Sequence, residues 1–215
     1  MQKIFSGNSI GLFVCFSILF FLVEYLNRTL ISDEVILNTI KGIGIPEKSI
    51  NNMIETVHSQ KNILMFARFL VSLIALLFNF VFVCSIVKVV EGKKPDYRPL
   101  FNAFLVAHLI LILGGLIKFL LMKWQGGYTI PEVEGYFPLS LADIFYVEPK
   151  FNMYSILSSI NLFKIFSVLV WAWLVNEYLN LENSARTILF TYFLLVVIVA
   201  GFNILLASSE KGLGW

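Results

Sequence analysis

Apolar and polar positions in this chain alternate in long blocks rather than residue by residue. Five apolar blocks, Ser9–Tyr25, Ile63–Val87, Leu100–Met122, Ile156–Tyr178 and Thr187–Leu206, are separated by polar connectors. A helix of roughly 20 residues crosses the hydrocarbon core of a bilayer, about 30 Å thick. It also keeps its backbone hydrogen bonds internal, as lipid demands. The pattern predicts an all-α fold: one polytopic integral membrane domain over residues 1–215, built as a bundle of five transmembrane helices.

The connectors carry a finer pattern. In the first long one, residues 26–62, Ile50, Met53, Ile54 and Val57 recur at helical spacing. Pro46 and Glu47 suit the start of that helix, proline for its fixed φ and glutamate for the positive dipole end. A shorter pattern, Val35, Ile36, Thr39 and Ile40, follows Ser32-Asp33-Glu34, and Gly42 and Gly44 part the two segments. The second long connector, residues 123–155, is rich in aromatic residues and broken by Pro131, Pro138 and Pro149. There Ser140, with Asp143 three residues on, resembles a capping box and predicts a short interfacial helix over Leu141–Tyr146. The expected picture is short amphipathic helices outside the bilayer, joined to long spans.

Composition fits that picture. Apolar residues make up 58% of the chain and charged ones 14%, against roughly 25% charged in a soluble domain. A net charge of +2 with no basic run longer than two lysines gives nucleic acid no footprint. Cys15 and Cys84 fall inside apolar blocks without metal-ligand spacing, so no metal or disulfide is expected. The first block lacks a small-residue cleavage site and reads as an uncleaved anchor. Among the short connectors, residues 88–99 carry Lys88, Lys93, Lys94 and Arg98, which places them in the cytoplasm by the positive-inside rule. The N-terminus and residues 179–186 then lie inside. Residues 26–62, residues 123–155 and the C-terminus lie outside.

Polar residues within the spans are the candidate functional positions, since a charge at the bilayer centre costs a few kcal/mol or more. Arg68, Lys118 and Lys164, with Glu24 as the carboxylate, all fall in the outer half of their spans, Lys164 the deepest at about eight residues in. They form a candidate anion- or lipid-binding set, with snorkelling to the headgroups as the competing explanation. His108 lies near mid-bilayer without a second ligand at metal spacing and reads as a packing residue, as do Asn79, Asn161, Asn176 and Asn203. Gly114-Gly115 allow a close helix contact or a kink. No HExxH, GxSxG or GxxxxGK[ST] string is present, so no catalytic residue is nominated and no cofactor is expected.

Three strings resemble the Yip family of five-span membrane proteins. They are Ile45-Pro46-Glu47-Lys48-Ser49-Ile50 after the first span, Tyr97-Arg98-Pro99-Leu100-Phe101-Asn102 leading into the third, and Ile160-Asn161-Leu162-Phe163-Lys164-Ile165-Phe166-Ser167-Val168-Leu169 with Ser184-Ala185-Arg186 around the fourth and fifth. Phe166 stands where the family commonly has tryptophan. The Asp-Leu-Tyr-Gly-Pro-like string of eukaryotic members is missing, so Rab GTPase binding is not expected. The resemblance implies a prokaryotic-type member in a bacterial cytoplasmic membrane. It would be a non-enzymatic scaffold or accessory subunit of a peptide- or lipid-transport complex, whose partners are the bilayer and another membrane protein or a second copy. The alternative from the residues themselves is a lipid- or anion-binding transport protein with a basic cavity in the outer half of the bundle.

Overall fold

The computed structural model describes residues 8–40, 47–92, 96–145, 157, 160–179 and 183–194. These residues are helical apart from turns and one isolated β-bridge between Ser140 and Asn161. In chain order the helices are α1 (Ser9–Thr29), α2 (Asp33–Ile40), α3 (Glu47–Glu91), α4 (Tyr97–Gln125), α5 (Ile130–Gly135), α6 (Leu141–Ile144), α7 (Leu162–Leu179) and α8 (183–194). Among the described residues, three stretches are long and apolar enough to cross a membrane: α1, Asn62–Val90 within α3, and α4.

Two expected boundaries move. The helical face of the first connector and the second span are one continuous helix, α3, of 45 residues and about 68 Å. The polar string His58-Ser59-Gln60-Lys61-Asn62 that separates them contains no glycine or proline, so nothing stops the helix. The fourth apolar block begins at Ile156, but helix α7 starts only at Leu162. Asn161 caps it, its Oδ1 accepting from the Lys164 amide at 2.9 Å. Residues 195–206, the greater part of the fifth block, lie outside the described residues.

α4 is the central helix, with α1 and α7 packed along it. The glycine pair makes this possible. A Cβ on Gly115 would stand 2.5 Å from Val23 Cγ1 of α1, and one on Gly114 would stand 2.7 Å from the Phe163 ring of α7. Two adjacent glycines thus admit two different neighbours, the small-residue contact that membrane helices favour. Asn27 ties the α1 side, its Nδ2 donating to Val23 O at 2.9 Å and to Gly115 O at 3.3 Å. At the opposite end of the bundle the core is aromatic. Phe104 meets Trp171 edge-on at 4.9 Å and Phe80 at 5.2 Å, with Val83, Cys84 and Val87 of α3 buried alongside.

A second cluster forms a cap over the end of the bundle where α1 finishes. Leu30, Ile31, Val35, Ile36 and Ile40 bury against Met122 and Val133, with Ile50, Ile54 and Val57 of α3 packed on them. The helical spacing read in the first connector therefore does supply a packing face; the Met53 side chain lies outside the described residues. Thr39 joins α2 to α5, its Oγ1 accepting from the Ile130 amide at 2.9 Å while donating to Val35 O at 2.7 Å. Asp33 joins α2 to α3 through His58 Nε2 at 2.6 Å. The Ser140 cap also exists: Ser140 Oγ accepts from the Asp143 amide at 3.2 Å, and Asp143 Oδ2 accepts from the Leu139 amide at 3.0 Å. Leu139 takes a left-handed φ of 58°, and its carbonyl accepts from the Leu162 amide at 3.2 Å.

Candidate functional site

Between α3 and the packed layer of α1, α4 and α7 lies a cavity of about 530 Å³ beneath the cap. α1, α4 and α7 place their charged residues at the same end because the chain reverses direction between successive long helices. Glu24 sits five residues from the end of α1, Lys118 seven from the end of α4, and Lys164 in the first turn of α7. Arg68, from the middle of the long helix α3, reaches the same level. All four line the cavity. Snorkelling apart, the candidate set converges on one space.

Arg28 joins them, and the sequence reading missed it. That reading ended the first span at Tyr25 and left Arg28 to the connector, but α1 continues to Thr29. Glu24 and Arg28 stand four residues apart on one helix face, and Arg28 is buried beneath the cap. The i, i+4 spacing was the available signal. Asn27 and Tyr192, also missed, line the cavity too.

The lining carries Arg28, Arg68, Lys118 and Lys164 against one carboxylate among the described residues, Glu24. Lys118 is buried, Glu24 and Lys164 are half-buried, and Arg68 is exposed. Lys164 differs from expectation. It lies not eight residues into a span but in the first turn of α7, where the helix dipole is itself positive. A lysine there adds to the field of the helix end rather than offsetting it, so this wall of the cavity is more positive than its side chains alone make it.

The remaining candidates separate. His108 lines the deep end of the cavity, and its ring lies 3.9 Å from Phe104 and 6.4 Å from Trp171 by centroid. Its Nδ1 is 2.8 Å from Phe104 O; since a carbonyl only accepts, that nitrogen carries the proton. Asn79 lines the cavity and is exposed. Asn161 does not bridge two long helices: it caps α7, and its neighbours pair with the loop before α6 through Leu141 N to Ile160 O at 2.9 Å. Asn176 is exposed on α7, and Asn203 lies outside the described residues. No group of three or more His, Cys, Asp and Glu among the described residues could hold a metal.

Compared with family models, with curated proteins and with solved structures, the chain matches none. The likeness to the Yip family therefore rests on its short strings alone, and no residue role is carried over from it.

Proposed function

We propose that this chain is a membrane protein that binds an anionic ligand in the basic cavity of its bundle, as a binding or transport component rather than a catalyst. The observation that carries this is the convergence of Arg28, Arg68, Lys118 and Lys164, from four different helices, on a space that holds one carboxylate among the described residues. Four basic side chains converging on one cavity give it a positive field, which raises the local concentration of anions and favours an anionic ligand there. In this reading α7 and α8 belong to a fourth and a fifth span, the cavity opens toward the outer leaflet, and any partner membrane protein meets a liganded bundle.

The test is native mass spectrometry of the protein released from membranes in mild detergent. Wild type should carry a co-purified anionic ligand, and Lys164→Leu should lose most of it. An unchanged adduct profile together with a more stable variant would mean that Lys164 is a tolerated cost, and the reading would fall.

A further inference from the structure

The deep half of the cavity, away from the cap, has a chemistry of its own. His108 lines it and is only 8% exposed. Its Nδ1–H is committed to Phe104 O at 2.8 Å. Nε2 of the neutral ring is therefore an acceptor, and no described residue donates to it. A buried acceptor without a donor is costly to the fold. Ser72 and Tyr192 line the same cavity, and their hydroxyls also make no hydrogen bond with the described residues. Ser85, on the same helix as Ser72, turns its hydroxyl back to Val81 O at 2.8 Å; Ser72 does not.

Position says how this half is reached. Phe80 of α3 meets Phe104 of α4 at 5.2 Å by centroid. One turn nearer the cap on each helix, Leu76 stands at the level of His108. Leu76 is buried, but Ala75 beside it and Asn79 one turn on line the cavity and are exposed. Both lie within the apolar stretch Asn62–Val90, so in a bilayer the way in past α3 is from the hydrocarbon. Phe16, Phe20 and Leu111 add apolar wall. An occupant must therefore be soluble in lipid and still donate a hydrogen bond to Nε2. A charged donor such as an ammonium would lose its hydration against these walls. A hydroxyl is neutral, and it accepts as well as donates, which matches Ser72 and Tyr192.

We infer that the deep half of the cavity binds a neutral, lipid-soluble alcohol, which enters past α3 and donates its hydroxyl to His108 Nε2. No basic side chain takes part, so this site stands or falls apart from the anion reading. Full-length protein in mild detergent should be titrated with hexadecanol and with hexadecyl methyl ether, which has a similar chain but no donor. Adducts are read by native mass spectrometry at equal mole fractions in the micelle. Hexadecanol should bind roughly tenfold more tightly or better, the loss expected when a buried acceptor is left unpaired. His108→Phe, which keeps a ring and removes the acceptor, should bind the two equally.

Equal binding of alcohol and ether by the wild type, or binding of neither, would overturn the inference. So would a His108→Phe protein that keeps the preference for the alcohol, since the donor would then be recognised elsewhere. The comparison of alcohol with ether needs only wild-type protein, so it decides the matter even if the phenylalanine variant fails to fold.

Discussion

Replacing Gly115 with alanine tests how closely α1 and α4 approach each other. The new Cβ would stand 2.5 Å from Val23 Cγ1, well inside van der Waals contact. Valine in a helix holds essentially one χ1 rotamer, so the methyl cannot turn aside and the helices must part. Overpacking of this kind costs about 1–3 kcal/mol. In water, alanine would recover about 1 kcal/mol of helix propensity over glycine. In a bilayer the separated helices are already helical, so that gain is absent from the balance. Parting the helices also stretches the 3.3 Å bond from Asn27 to Gly115 O, of the kind worth about 0.6 kcal/mol in membranes. Gly115→Ala should therefore destabilise by about 2–3 kcal/mol. Val23→Ala, which loses packing but little transfer energy in lipid, should cost about 1 kcal/mol. In the double variant the alanine at 115 fills the space that Val23 vacates. The two should couple favourably by about 1–2 kcal/mol. Equilibrium unfolding in mixed micelles, followed by tryptophan fluorescence, gives all four corners of the cycle. Gly114→Ala, whose Cβ meets Phe163 instead, should be additive with Val23→Ala. Additivity within about 0.5 kcal/mol for the Gly115 pair would refute the close contact.

The cap should loosen in alkali. Burial, and then the nearby Asp143 carboxylate, push the Tyr136 phenol above its ordinary value, so the fold holds it protonated. Its contribution is complete below the unfolded value of about 10 and is lost as pH rises through the higher folded one. Between pH 9 and pH 11 the wild-type melting temperature should fall further than that of Tyr136→Phe, and parallel pH profiles would count against the assignment. The orientation is checked by labelling from outside intact cells. Single cysteines at Ser59 and Gly127 should react and one at Lys94 should not, and the reverse pattern would invert the topology.

The long helices were legible because lipid-compatible runs of apolar residues leave few other solutions; their ends were not. Hydropathy stops at Tyr25, yet Leu26, Asn27, Arg28 and Thr29 continue α1 because the cap covers its final turn. The same measure opens the fourth block too early, since a run of apolar residues does not reveal that Asn161 caps the helix. Depth followed boundary, and so Lys164 was placed too deep and Arg28 was left out. Glu24, Arg68, Lys118 and Lys164 line one cavity, and for Glu24, Lys118 and Lys164 the helix ends lie within six residues of the hydropathy boundaries. In the second long connector, Thr129 with Glu132 three residues on was a readable helix start. There Glu132 Oε2 accepts from Thr129 N at 2.6 Å, and α5 follows.

The continuity of α3 has a mechanical consequence. One rod forms the open wall of the cavity at Arg68 and also packs on the cap at Ile50, eighteen residues or about 27 Å away along its axis. Without a glycine or proline between the two points, the rod has no joint at which to absorb a tilt. Phe80, set against Phe101 and Phe104, and Ile50, packed on the cap, therefore hold the same rigid element at two places. A tilt that widened the cavity beside Arg68 would have to strain one of these contacts rather than bend the helix between them.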